Sequence, residues 1–120
     1  MTTALEKFKK NQVVVEATAE QVVKDFAMLQ VDLQFSGNAE TAYEELYEQL
    51  EPVIRHFIER DFEKLQNVLY RIDISEEKVK AALFGIQHES TSELLTQMIL
   101  KRELEKVVFR LQYSGIIENN

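Results

Sequence analysis

Hydrophobic residues recur through most of the chain at the three-to-four-residue spacing of an amphipathic α-helix. The clearest case is the stretch 61–72, whose opposite side is wholly polar. Its apolar stripe consists of Phe62, Leu65, Val68, Leu69 and Ile72. Asp61 stands directly before the stripe, where an aspartate accepts hydrogen bonds from the first free backbone amides of a helix. The pattern therefore predicts a one-sided helix that begins after Asp61 and lies on a core.

The residues that follow predict a second, shorter helix. Asp73 fits an N-capping pattern with Glu76 three residues later, and Ser75 is the alternative cap. The acids Glu76 and Glu77 suit the positive end of the helix dipole. Gly85 is the residue expected to end this helix.

The first third of the chain predicts two helices separated by a linker. Residues 2–10 form the first, and the pattern Thr18-Ala-Glu-Gln21 resembles a capping box that opens the second. The second helix is expected to end at Ser36-Gly37-Asn38, where glycine supplies a left-handed residue. The segment 11–17 contains three consecutive valines, and we expect it to be a linker that packs on the core.

From Ala39 to Ile58 the apolar pattern keeps its phase through Pro52. An unbroken phase favours one helix that bends at the proline, because a proline removes one backbone hydrogen bond without changing the register of the side chains. The alternative is two helices, with Pro52 in the first turn of the second.

The last helix opens with the capping box Ser90-Thr-Ser-Glu93 and runs to Tyr113, before Ser114-Gly115. Its apolar residues form two groups on different sides. One group is Leu94, Leu95, Met98, Ile99 and Phe109, and the other is Leu100, Leu104, Val107, Val108 and Leu111. A helix that is apolar on two sides is usually packed between partners. The sequence therefore predicts a central helix.

The fold class that follows is all-α, with about five helices in an up-and-down bundle and no sheet. A chain of 120 residues is one domain by size, so residues 1–120 are expected to form a single helical domain. Three glycines and one proline are too few for a fold with many turns.

Composition then narrows the possible partners. The formal net charge of −7 disfavours nucleic acid and anionic membranes as partners, because both attract cationic surfaces. The absence of cysteine excludes disulfides and thiolate metal sites. No run of apolar residues is long enough to span a membrane, and the first residues do not resemble a signal peptide. A cytoplasmic location is expected.

Arg102, Glu105 and Tyr70 are the candidate ligand-binding or interface residues. Arg102 and Glu105 fall on or beside the apolar side that includes Leu94 and Phe109, where a charge needs a partner or a cavity. The favoured interpretation is an ion pair at the edge of the bundle, and the alternative is a binding site. Tyr70 lies off the stripe of its own helix and is expected either to fill a gap or to face a partner.

No catalytic or metal-binding residue and no cofactor is predicted. His56 and His88 lack the Glu-x-x-His spacing of carboxylate-bridged metal sites. Glu44, Glu48 and Glu51 share one helix face, but Arg55 continues it, which is typical of a solvated ladder of opposite charges.

Short segments in the second half of the chain resemble a small uncharacterised family of all-helical bacterial proteins. These segments are Leu69-Tyr-Arg-Ile-Asp73, Ser75-Glu-Glu77, Lys101-Arg-Glu103 and Lys106-Val107. The resemblance implies a helical bacterial protein and carries no activity or functional residue.

The leading hypothesis is a non-catalytic protein-interaction or regulatory module that associates with another protein or with itself as a homodimer. The alternative is a small-molecule-binding or metal-dependent enzyme with a site inside the bundle near Arg102 and Glu105. DNA binding through Lys101, Arg102, Lys106 and Arg110 is disfavoured by the interleaved Glu103 and Glu105.

Overall fold

Helices account for most of the described chain in a computed structural model, which describes residues 4–85 and 89–118. Within these ranges there are six α-helices, one 3-10 turn at Ala27–Leu29 and no strand. The helices are α1 (Ala4–Phe8), α2 (Gln12–Phe26), α3 (Ala42–Arg60), α4 (Phe62–Arg71), α5 (Glu76–Phe84) and α6 (Thr91–Tyr113). The all-α class is therefore confirmed, with six helices where about five were expected. Residues 2 and 3, where the first helix was expected to begin, lie outside the described ranges.

The last helix, α6, is the centre of the bundle, as its two apolar sides predicted. It contacts α1, α2, α3 and α5, while α4 packs on α2 and α3. Its residues Leu95 and Ile99 are fully buried in the main core cluster, together with Leu50 and Ile54 of α3. The stripe of α4 enters the same cluster through Leu65, Val68 and Leu69, and Ile72 follows just after the helix.

A second, smaller core cluster holds the C-terminal half of α6 against α1 and α2. Its buried members are Phe8, Val14, Val107, Val108 and Leu111. Phe8 is the side chain through which the five-residue α1 joins this cluster. The two clusters meet along α6, so this helix carries the packing of both ends of the molecule.

Helix starts that depend on local capping agree with the prediction. The Ser90 side chain accepts a hydrogen bond from the Glu93 amide, and the Glu93 carboxylate accepts one from the Ser90 amide, each at 3.2 Å. Asp61 caps α4 by accepting from the Lys64 amide at 3.4 Å. The α3 helix continues through Pro52 without a break, so the two-helix alternative is wrong.

The predicted linker at 11–17 is wrong, because α2 already begins at Gln12. The Asn11 side chain caps it by accepting from the Val14 amide at 3.2 Å. Burial of Val14 and Val15 offsets the low helix propensity of valine. Thr18, the expected cap, lies inside the helix, and its hydroxyl donates to the Val14 carbonyl at 2.7 Å.

The predicted end of this helix at Ser36 is also wrong, since α2 ends at Phe26. After the 3-10 turn, Gln30 adopts a left-handed conformation with φ of 60°, which takes the chain out of the helical direction. The Gln49 side chain of α3 then holds the following extended segment: it accepts from the Gln34 amide at 2.8 Å and donates to the Gln34 carbonyl at 2.7 Å.

Ser75, and not Asp73, caps α5, because the Ser75 hydroxyl accepts from the Lys78 amide at 3.2 Å. Asp73 adopts a left-handed conformation with φ of 62°, and its carboxylate binds Lys106 of α6 at 3.2 Å. Gly85 follows the last residue of α5, as predicted. None of the described helices is both long and apolar enough to cross a membrane.

Replacing Asn11 by alanine should lower the free energy of unfolding by about 1 kcal/mol, because the first turn of α2 loses its side-chain cap. Chemical denaturation followed by circular dichroism measures the change. Asn67→Ala is the matched control, since Asn67 is exposed in the interior of α4. Equal effects of the two substitutions would contradict the assigned start of α2.

Candidate functional site

Arg102 and Glu105 form the edge pair that the sequence favoured. The Arg102 guanidinium lies 3.8 Å from the Glu105 carboxylate, and both side chains are about one-third exposed, at 35% and 37%. The Arg102 Nε also donates to the Ile72 carbonyl at 3.2 Å. Arg102 therefore connects α6 to the chain just after α4, where the last carbonyls of a helix attract a cation.

Tyr70 does not join this pair. Its side chain is 46% exposed, and its hydroxyl accepts a hydrogen bond at 2.8 Å from Gln66, one turn earlier in α4. The three candidate residues therefore occupy two places on the surface. Of the two expectations for Tyr70, its exposure agrees with a side chain that faces outward.

Arg102 and Glu105 also line an open groove between α5 and α6, with a volume of about 540 Å³. We call it the Arg102 groove. Leu94 and Met98 contribute apolar surface, and Lys78 and Lys101 contribute two further cations. Its far end is bordered by Gly85, next to residues outside the described ranges.

A second cavity, of about 470 Å³, lies where α1, α2, α3 and α6 converge. We call it the α1 cavity. Its walls are largely apolar, and its charged groups are Glu6, Lys9, Lys101 and Glu105. Lys101 and Glu105 line both cavities, so two side chains of α6 lie between them.

A buried carboxyl group, Glu103, lies in the middle of α6. Its side chain is 0% exposed, and neither oxygen has a hydrogen-bond partner among the described residues. Asp25, at the end of α2, is a second buried acid close enough to affect its protonation. Two neighbouring buried carboxylates repel each other, which favours a proton on one of them.

The two acids have different surroundings. Asp25 accepts a hydrogen bond from Gln21 at 3.0 Å and lies 3.7 Å from the Arg71 guanidinium. Burial first, and then the neighbouring Asp25, raise the pKa of Glu103 to about 9, and Lys106 and Arg102 lower it by less. Glu103 is therefore protonated at neutral pH.

The sequence interpretation missed Glu103, although a signal for it exists. Ile99 and Val107 lie one turn before and one turn after it, and both are fully buried. The two apolar groups assigned to α6 flank position 103 on either side, so the residue between them faces the centre of the bundle. Treating them as separate faces placed Glu103 with the solvent-facing charges.

The C-terminal part of α6 exposes large apolar side chains. Phe109 is 72% exposed and Tyr113 is 88% exposed, and Ile116, just after the helix, is 61% exposed. We call these three residues the aromatic face. Phe109 was expected to cover a packed side of the helix together with Leu95, and that expectation is wrong.

A row of cations, Arg102, Lys106 and Arg110, runs at four-residue spacing beside the aromatic face. Lys106 pairs with Asp73, and Arg102 with Glu105. Arg110 donates to the neutral Gln21 side chain at 3.2 Å, and no ion pair joins it to a described acid. The cationic row therefore keeps a net positive charge in a chain of net charge −7.

The other candidate groups have structural partners. Glu51 pairs with Arg55 at 3.1 Å, as the charge ladder predicted, and its second oxygen accepts from the Ser92 hydroxyl of α6 at 2.5 Å. His56 is exposed and packs edge-on against Phe57. His88 lies outside the described residues, and within them no three metal-ligating side chains cluster.

Comparisons of the chain with protein-family models, with curated proteins and with solved structures found no match. Functional inference for this chain therefore depends on the geometry of the cavities, the acid pair and the aromatic face.

The Glu103→Gln variant should be more stable than the wild type by an amount that grows with pH. Because the folded pKa is about 9 and the ordinary value is 4.5, folded Glu103 holds a proton that the unfolded chain has lost between these values. Wild-type stability therefore falls as pH rises through that window, by up to about 1.4 kcal/mol per pH unit, or about 3 kcal/mol at pH 7. Glutamine has a similar shape and does not titrate.

Urea denaturation of both proteins between pH 5.5 and 8.5 measures this difference. Glu105→Gln is the same substitution in a side chain that water reaches, and its stability difference from the wild type should vary far less with pH. A difference between Glu103→Gln and the wild type that stays constant over this range would contradict a protonated Glu103 in the folded protein.

Proposed function

We propose that this protein is a non-catalytic protein-interaction module that binds its partner through the aromatic face. The supporting observation is the exposure of Phe109, Tyr113 and Ile116 together on one side of the central helix. Adjacent exposed side chains of this size mark interaction surfaces more often than single exposed apolar residues do. Aromatic residues are also enriched at the energetic centres of protein interfaces.

The positive charge beside the aromatic face favours a partner that carries acidic groups. The cationic row runs beside the aromatic face, and its Arg110 lacks a described acidic partner. A complementary surface would place apolar side chains on Phe109 and Tyr113 and carboxylates along the row. An amphipathic helix with an acidic flank meets both conditions, because such helices bind grooves and faces through apolar residues at three- and four-residue spacing.

Self-association, the other part of the initial hypothesis, stays a prediction. Direct packing of two aromatic faces is not the expected contact. Two aromatic faces packed against each other would bring two cationic rows side by side, and like charges disfavour that arrangement. A second copy would have to present another surface instead. The outer side of α3, where Glu44 and Glu48 are exposed, has the required negative charge.

We further propose that this interaction module is a cytoplasmic protein of a bacterium. The absence of cysteine supports a reducing compartment. The resemblance of the segments from Leu69 to Val107 supports a bacterial source. Neither point identifies the partner.

The alternative is a small-molecule-binding or metal-dependent enzyme with its site near Arg102 and Glu105. The Arg102 groove favours this alternative, because its volume falls within the range of small-molecule sites. Elemental analysis of purified protein tests the metal-dependent form, and a bound metal at one equivalent per chain would favour it over the interaction module.

The double variant Phe109→Ser/Tyr113→Ser should bind an acidic amphipathic helical peptide at least about tenfold more weakly than the wild type, because aromatic anchors dominate interface energies. Fluorescence anisotropy of a labelled peptide with leucine anchors and a glutamate flank measures the affinity. A peptide with lysine in place of the glutamates tests the charge requirement, and we expect it not to bind.

Phe84→Ser is the matched control, because Phe84 is 81% exposed on α5, away from the cationic row. It should leave peptide affinity unchanged. Equal loss in both variants, or equal binding of the two peptides, would contradict the proposal. Light scattering coupled to size exclusion tests self-association, and a dimer that persists in Phe109→Ser/Tyr113→Ser would assign that contact to another surface.

A further inference from the structure

The α1 cavity lies at the gap between the two core clusters. Leu46 and Leu100 on its wall belong to the main cluster, whereas Leu104 packs against the smaller one. The cavity is open to solvent on one side, where the exposed residues Glu6, Lys9 and Lys101 line it. It is therefore a cleft of about 470 Å³ between the two clusters.

The wall of the cavity is suited to an apolar molecule. Val15, Leu46 and Leu100 line it from the core side, with exposed fractions of 4–5%, and the partly exposed Leu104 adds apolar surface. The volume falls within the range of about 300–1,000 Å³ that is typical of small-molecule sites. The short helix α1 lies along one side, so an occupant would touch four helices at once.

The charges around the cavity favour an anion at its mouth. Lys9 lies with its ammonium 4.7 Å from the centre of the Tyr43 ring, and no ion pair joins Lys9 or Lys101 to a described acid. Of the two acids that line the cavity, Glu105 is paired with Arg102, and Glu6 has an interaction of its own. Two ammonium groups from α1 and α6 therefore remain to bind an acid group.

We propose that the α1 cavity binds a small anionic amphiphile, whose apolar body contacts Leu46 and Leu100 and whose carboxylate lies between Lys9 and Lys101. This site is separate from the aromatic face, and the proposal does not depend on the interaction function. The site selects its ligand by the charge of the head group. An apolar wall with cations at the mouth accepts a carboxylate on a hydrocarbon chain and rejects a quaternary ammonium on the same chain.

Isothermal titration with decanoate, decanol and decyltrimethylammonium tests the proposal on the full chain. We expect saturable binding of one decanoate per chain, binding of decanol at least about fivefold weaker, and no binding of the cation. In the nuclear magnetic resonance spectrum, decanoate should shift the methyl signals of Leu46, Leu100 and Leu104. Failure of decanoate to bind, or equal binding of the cationic amphiphile, would overturn the proposal.

Lys9→Ala/Lys101→Ala should reduce the affinity for decanoate at least about fivefold and leave that for decanol unchanged, because only the head group loses contacts. Lys64→Ala/Lys80→Ala removes the same charge elsewhere on the surface and is the matched control. Equal losses of decanoate affinity in the two double variants would show that only net charge matters and would overturn the assigned head-group site.

Leu104→Trp should abolish binding of both decanoate and decanol by filling the cavity, and circular dichroism establishes that the variant folds. Phe109→Ser/Tyr113→Ser should bind decanoate as the wild type does. If that variant alone lost decanoate binding, the amphiphile would be on the aromatic face, and the cavity site would be wrong.

Discussion

The buried carboxyl of Glu103 is the constraint on which the packing of the central helix depends. An ionised carboxylate that is buried without a donor costs several kcal/mol, and α6 cannot expose this one without separating from α2. Its two neighbours along the helix, Ile99 and Val107, belong to the two core clusters. A raised pKa keeps Glu103 protonated at neutral pH, which lowers the cost of burying it between the two clusters.

This arrangement gives α2 and α4 defined places relative to α6. Asp25 lies at the end of α2, where it accepts a hydrogen bond from Gln21 and lies 3.7 Å from Arg71 at the end of α4. Polar contacts have a narrow range of geometry, whereas apolar contacts tolerate sliding. The contact between Asp25 and Arg71 thus helps to set the relative positions of helices that the apolar side chains hold together.

Two helix starts set by caps close in sequence were predicted, whereas the local Asn11 cap was missed and the end of α2 depends on distant contacts. The Ser90–Glu93 box and the Asp61 cap need only their own first turn. The end of α2 depends on Gln30 in a left-handed conformation and on Gln49, which binds the segment after it from another helix. No glycine marks that break, so the apolar phase through Leu33 suggested a longer helix.

The candidate site was likewise predictable only in part. The spacing of Arg102 and Glu105 predicted their pairing, because residues three apart meet on a helix surface. Spacing alone could not show that Leu95 is covered and Phe109 is not, since that depends on which elements pack along each part of α6. Spacing also could not show that Glu103 is buried. Position 103 lies between the two apolar groups of α6, and its burial depends on where α2 and α4 pack.

The charges of Lys106 and Arg102 act both on the buried Glu103 and at the protein surface. Each lies near enough to Glu103 to lower its pKa, and each also belongs to the exposed cationic row beside Phe109. An anion bound along that row would oppose their positive potential and make the Glu103 proton harder to remove. By linkage, the protonated form of Glu103 would in turn bind such an anion more strongly. Lys106 and Arg102 thus give a route by which binding at the cationic row and protonation of Glu103 would influence each other.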